Sequence, residues 1–240
     1  MLNAIAGGGS FLTFPALVFT GVPPIMANAT SALAVSPGYL GSTLGFKAEL
    51  AALPRRRLWR EMAIAASGGV IGALLLLVTP GKLFDGIVPW LLLFATLLFA
   101  AGPALARRMV SAADGQPGVG HGPRWREPAL MAVAVYGGYF NGGLGILLMA
   151  LYTVAGDRDL VKVNALKNLN SLVLSLLSVA AFVVAGVIAW REGLLMMGAA
   201  TAGGYFGAHW SRRLPAAWVR RGVVVVGLVM TVLFLLRQRG

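Results

Sequence analysis

MLNAIAGGGSFLTFPALVFTGVPPIMANATSALAVSPGYLGSTLGF, residues 1–46, holds no Asp, Glu, Lys or Arg. A membrane-crossing helix needs about 20 predominantly apolar residues. Two spans fit into this stretch, 1–20 and 28–46, divided by the turn Gly21-Val22-Pro23-Pro24. Further apolar stretches follow at 62–79, 86–106, 128–155, 164–190, 193–210 and 217–236, the fifth of the eight being too long and too Gly-rich for one plain helix. The whole composition agrees: 58% of the 240 residues are hydrophobic and 12% are charged, where soluble domains carry about 25% charged residues. The mean hydropathy is +0.80. A soluble fold would need a polar surface that this chain cannot supply, so its surroundings are a lipid bilayer.

The only hydrophilic linker is Ala112–Pro128 (AADGQPGVGHGPRWREP), and it divides the chain into 1–111, 112–127 and 128–240. The two long parts read as a duplication. At an offset of 135 residues Gly7-Gly8 fall on Gly142-Gly143, Gly21 on Gly156, Gly68, Gly69 and Gly72 on Gly203, Gly204 and Gly207, and Pro80 on Pro215. With one residue inserted, Asn28-Ala29 meet Asn164-Ala165 and Leu33 meets Leu169; Trp59-Arg60-Glu61 and Trp190-Arg191-Glu192 sit at equivalent junctions. The expected fold is therefore an all-α integral membrane protein, with about eight transmembrane helices in two homologous four-helix repeats and Gly-rich broken first helices. The two GGxxG segments suit close helix packing.

The net charge is +12, and the basic residues lie between apolar segments, as in Pro54–Arg60 and Arg212–Arg221. This suits topology signals facing anionic lipid rather than nucleic acid. Four segments per half imply parallel repeats. With the N-terminus inside, the first half then places nine Lys and Arg inside against one outside, but the second half runs three against six. An inverted second half removes that conflict but needs an odd number of crossings. No basic region follows Met1 to suggest a secretory signal, and the absence of cysteine removes disulfides and thiolate sites.

Two constellations carry candidate chemistry. Gly7-Gly8-Gly9-Ser10-Phe11-Leu12-Thr13-Phe14-Pro15 and its match Asn141-Gly142-Gly143-Leu144-Gly145 interrupt apolar segments. Gly costs about 1 kcal/mol and Pro about 3 relative to Ala within a helix. Unwound backbone is tolerated at membrane depth where it is buried or lines a cavity. A half-helix starting after such a break aims free N–H groups and the positive dipole end at the interior. Equivalent breaks in two repeats point to a transport site; tight helix packing is the alternative. The second constellation is Asn28-Ala29-Thr30-Ser31 with its counterpart Asn164-Ala165-Leu166-Lys167-Asn168-Leu169-Asn170-Ser171. Helix capping could explain Asn28 and Asn164 but not Lys167, Asn168 and Ser171. Lys167 and Ser171 share a helical face. An intramembrane Lys is a functional candidate, with snorkelling from a helix end as the alternative.

All eight acidic residues, Glu49, Glu61, Asp85, Asp114, Glu127, Asp157, Asp159 and Glu192, fall in loops or at segment ends. That disfavours a cation substrate and favours a small anion. An intramembrane enzyme is the competing class, but His121 and His209 are not spaced to serve Ser10 as a base. No metal cluster or cofactor motif is present. A structural membrane protein without transport activity is the other alternative, and a homo-oligomer is compatible with either.

The chain resembles the sulfite exporter TauE/SafE family of membrane permeases. The likeness lies in AIAGGGSFLTFPAL followed by ANATSALAV in the first half, and in GGLGILLMAL and VNALKNLNSL in the second. It implies an eight-helix duplicated permease, multi-pass in the inner membrane, for sulfite, organosulfonates or other small anions. The family's first helix has more residues before its Gly run than the six here, so the first helix reads as incomplete. The expected mechanism is alternating access around a central anion site. Gly8, Gly9, Ser10, Gly142 and Gly143 supply donors at the breaks; Asn28, Thr30, Ser31, Asn164, Asn168 and Ser171 supply side chains; Lys167 supplies the charge.

Overall fold

The computed structural model describes residues 10–113, 123–157, 159–210 and 216–237, without the side chains of residues 11, 103–113, 203–210, 216–220 and 237. Among the described residues the chain is all helical: α1 Ser10–Phe19, α2 Pro24–Gly45, α3 Lys47–Ala51, α4 Arg55–Val78, α5 Gly81–Ala113, α6 Arg126–Tyr139, α7 Leu144–Val154, α8 Leu160–Val184, α9 Trp190–Trp210 and α10 Ala216–Arg237. Each expected apolar segment has a helix within it. Apart from α1 and α7, the helices of these segments start earlier than the apolar stretches because first turns tolerate polar residues, whose N–H groups need partners there. Asn28 and Asn164 therefore cap nothing: the caps are Pro23 and Asp159, and each Asn lies inside its helix. Asp159 Oδ1 accepts from the backbone N–H of Val161 and Lys162 at 3.0 and 3.2 Å. These bonds, that of Lys162 first, hold its carboxyl below the usual value.

The fifth segment is corrected in kind. It splits at Phe140–Gly143 into α6 and α7, with Gly143 left-handed at φ 76°. The two pieces then double back. Arg126, at the start of α6, bonds Asp157, just beyond α7, at 2.9 Å, and its guanidinium lies 5.1 Å from the Tyr152 ring centroid near the end of α7. As one helix, the stretch from Arg126 to Val154 would be about 42 Å long. The segment is a helical hairpin whose ends share one face of the molecule and whose tip points inward.

Small residues let its first arm sink against α4. A methyl at Gly138 would strike the Gly69 carbonyl oxygen, and one at Gly72 would strike that of Val135. The first GGxxG segment thus packs backbone on backbone, as its spacing suggests; the second lies outside the described side chains. Around this crossing Ala65, Leu130, Ala134, Leu144, Leu148, Leu151, Val163, Leu166 and Leu174 form one core, which binds α4, α6, α7 and α8 into a single packed group.

Packing elsewhere pairs elements across the chain. α4 lies on α8 and α9 on α2; α5 lies on α7 and α10 on α1; α1 packs on α2 as α7 does on α8; α2 meets α8 and α5 meets α10. α1 and α7 also end alike. Gly21 and Gly156 are left-handed at φ 88° and 92°. Val22 and Asp157 each donate to the carbonyl five residues back, at 3.1 and 3.0 Å. This is the terminating pattern that glycine permits.

The surface inverts the rule for soluble proteins. Leu74, Leu75, Val78, Trp90, Leu97, Leu195, Val225 and Val232 are exposed, while Ser10, Asn28, Thr30, Ser31, Glu61, Asn141, Lys167, Asn168 and Ser171 are buried. Among the described residues three helices are long and apolar enough to cross a membrane: Arg55–Val78, Gly81–Gly102 and Leu160–Val184.

Candidate functional site

The breaks and the polar stripe meet through two side chains. At the hairpin tip Asn141 is buried; its carbonyl oxygen accepts from Ser10 Oγ at 3.2 Å, and its Oδ1 lies 3.5 Å from Tyr39 OH of α2. Gly142 O accepts from Tyr136 OH at 2.7 Å. Phe140 packs edge-on against Phe14 of α1, with centroids 5.7 Å apart. The start of α1 and the start of α7 thus adjoin inside the protein, without an acidic residue in either first turn. Tyr39 also packs with Leu172 of α8, next to Ser171.

On α8 the stripe is buried outright. Lys167, Asn168 and Ser171 are each 0% exposed. One turn on, Ser175 Oγ lies 2.8 Å from Ser36 Oγ of α2, so this face looks toward α2. Neither amide atom of Asn168 nor the Ser171 hydroxyl bonds to another protein group, and Asn141 Nδ2 is in the same position. A buried polar atom without a partner costs about 1–3 kcal/mol, and each calls for an explanation. Here four such atoms lie on two neighbouring elements beside a buried lysine.

Other expected site residues do structural work. Asn28 donates to the Tyr139 carbonyl at 2.8 Å, which the helix break has released. Thr30 Oγ1 accepts from Ala189 N–H at 3.0 Å. Asn164 donates to Leu160 O of its own helix at 3.0 Å. Ser31 Oγ is 2.6 Å from Thr13 Oγ1, which ties α1 to α2. Gly143 holds the left-handed turn against Ala95. Gly8 and Gly9 lie outside the described residues.

Three participants escaped the sequence reading. Asn141 stood in the quoted break without being assigned a role. Tyr39 looks like any aromatic residue in an apolar helix. Glu61 is not at a loop or frayed end but buried, which corrects the placement of all eight acids at segment margins. Glu61 accepts from Arg57 Nε at 3.0 Å, Arg126 Nη2 at 2.9 Å, Tyr152 OH at 3.0 Å and Asn170 Nδ2 at 3.2 Å. It joins α4, α6, α7 and α8 at the open end of the hairpin. Arg57 is a local partner four residues back, but Arg126, Tyr152 and Asn170 lie 65, 91 and 109 residues away in the chain, and no local pattern reveals them.

The profile of the sulfite exporter TauE/SafE family matches residues 1–234. The chain belongs to the sulfite exporter TauE/SafE family. Curated relatives of this TauE/SafE protein carry transporter names. A "probable membrane transporter protein" of Haemophilus influenzae is 29% identical over 96% of this chain and 88% of its own length. "Probable membrane transporter protein ORF9" of a Sinorhizobium species is 25% identical over 96% and 86%. "Probable membrane transporter protein YfcA" of Escherichia coli K12 is 26% identical over 100% and 86%. No solved structure matches the chain. The TauE/SafE protein is thus a membrane protein of a transporter family, with a buried polar seam between α2, α8 and the hairpin tip.

Proposed function

We propose that the chain is an inner-membrane, multi-pass permease for a small oxyanion, sulfite or an organosulfonate by its family, and that it works by alternating access around the α2–α8 seam. The observation that carries the reading is the fully buried Lys167–Asn168–Ser171 face, with orphan polar atoms, inside a protein whose exterior is apolar. Lys167 supplies the charge, Asn168, Ser171 and Asn141 supply neutral donors, and the two adjoining helix starts add their positive dipole ends. An intramembrane enzyme would need a base beside Ser10; its hydroxyl instead donates to a carbonyl.

The same reading includes two inverted halves. Each half would contain three crossing helices (α2, α4 and α5; α8, α9 and α10), and the second half would open on the α6–α7 hairpin, which dips in and returns. Two features support it: the shared ending of α1 and α7, and three sets of packed pairs that exchange with the halves, α4–α8 with α9–α2, α5–α7 with α10–α1 and α1–α2 with α7–α8. α6 is about 20 Å long, enough to pass the middle of a hydrocarbon core about 30 Å thick. A hairpin in place of a crossing makes the number of crossings odd in each half. The first half's charge count of nine against one stands. The second half's six and three exchange sides, and the balance becomes fifteen against four, with Lys167 in the interior. The charge conflict of a parallel arrangement disappears, and the inner face holds the open end of the hairpin.

Proteoliposomes offered labelled sulfite, thiosulfate, sulfoacetate and simple carboxylates test the function. Gradient-driven uptake of at least one, competed by the others in order of likeness, is expected. No uptake or counterflow of any of them by well-folded protein overturns the reading.

A further inference from the structure

The seam on α8 leaves one charged cluster unused, and it contains a bound oxyanion oxygen of the protein's own. Asp157 Oδ2 accepts from Arg57 Nη2 at 2.7 Å and from Arg126 Nη2 at 2.9 Å. One carboxylate oxygen is thus held between two guanidiniums from two helices, α4 and α6. Charge-assisted N–H donors converging from two arginines suit an oxygen of a carboxylate or sulfonate group.

The cluster's two acids are not alike. The Glu61 side chain is 6% exposed, sits within a helix, and also takes bonds from Tyr152 and Asn170. The Asp157 side chain is 21% exposed and follows left-handed Gly156 in the connection to α8; its carboxylate is held by the two arginines. Glu61 is built into the packed group, whereas Asp157 is tethered to it. If Asp157 swings out, Arg57, Arg126 and Glu61 leave one net positive charge, and the Nη2 groups of Arg57 and Arg126 that held the Asp157 oxygen lose that partner. A buried unpaired charge is costly, so an incoming anion replaces what Asp157 provided.

We infer that Arg57 and Arg126 form a second anion site at the open end of the α6–α7 hairpin, which Asp157 fills as an intramolecular stand-in for a carboxylate- or sulfonate-bearing anion. Tethering gives Asp157 a high effective concentration, so the parent protein binds free anions there weakly. A weak, competed site suits a station from which an anion passes on. Glu61 bonds Asn170, three residues beyond Lys167 on α8, so the station adjoins the seam. Its part in transport rests on the permease reading; its existence as a binding site does not.

Purified full-length protein in nanodiscs, titrated with methanesulfonate or acetate against a chloride control, provides the test. Asp157→Asn is expected to bind methanesulfonate at least about tenfold more tightly than the parent, and to gain thermal stability from it when the parent does not. The gain should persist in Lys167→Met/Asp157→Asn, which separates this site from the seam, and should vanish in Arg126→Gln/Asp157→Asn. An Asp157→Asn protein with the parent's affinity, or a gain that survives loss of Arg126, overturns the site. If Asp157→Asn cannot be purified in chloride, recovery in methanesulfonate supports the site and failure to recover it refutes it.

Discussion

A lysine at the centre of a bilayer costs roughly 2.5–3.5 kcal/mol on insertion scales, and Lys167 is wholly buried within the protein. Its neighbours Asn168, next in the chain, and Ser171, one turn on, carry atoms that no protein group satisfies. An anion arriving there would bond those atoms and lie beside the lysine charge. A hydrogen bond to a charged group contributes about 1.5–3 kcal/mol, so Lys167→Met is expected to fold and purify while its KM for substrate rises about ten- to a hundredfold. Lys167→Arg should recover only part of this, because a planar fork replaces a point charge. Uptake by Lys167→Met equal to the parent at every concentration would remove Lys167 from the site. These three residues were legible because polar side chains stand out in an apolar run. Asn28, Thr30 and Asn164 stood out equally and turned out to satisfy backbone groups, a distinction that depends on which carbonyl or N–H lies opposite. Glu61 was misread for the same reason: the sequence places it just before the apolar segment 62–79, and only packing of four helices closes over it.

The hairpin, at the scale of elements, depends on its glycines for two separate reasons. Gly143 supplies the left-handed turn at the tip, which a residue with a side chain adopts only under strain. Gly138 supplies room: the Gly69 backbone lies where a methyl would go, and backbone cannot rotate away. Gly138→Ala is therefore expected to force α6 away from α4 and to lower stability by about 1–3 kcal/mol, seen as a reduced melting temperature. Gly81→Ala, where nothing approaches, should leave it unchanged. Equal melting temperatures for the two variants would refute the crossing. Both the break and the GGxxG packing could be read from glycine spacing. The direction of the chain after the break could not, since a kinked span and a hairpin share one sequence pattern. What decides between them is Arg126 beside Asp157, a contact between residues at opposite ends of the segment.

For the whole molecule, the proposed inverted arrangement turns on that one reversal, which would move every later connection to the other side. If the fifth segment crossed, the α8–α9 connection with Arg191 would be inside and the α9–α10 connection with Arg212 and Arg213 outside, against the basic bias. In the proposed inverted arrangement Arg191 would lie outside and the Arg-rich connection inside, together with the 112–127 linker. The chain has no cysteine, so single cysteines report sides cleanly. Gln116→Cys lies inside under both arrangements and serves as the control. Arg191→Cys, exposed at the start of α9, and Pro215→Cys, which precedes α10 in sequence, exchange sides between them. In intact cells an impermeant maleimide is expected to label Arg191→Cys at once and the other two only after permeabilisation. Each substituted protein must first support uptake like the parent, so that the label reports the working orientation. Labelling of Pro215→Cys from outside with Arg191→Cys protected would restore the parallel arrangement and make the second half defy its own charges. Labelling of Gln116→Cys from outside would reverse the whole protein and put the Arg57–Arg126 pair on the outer face, where it would meet anions before import rather than before export.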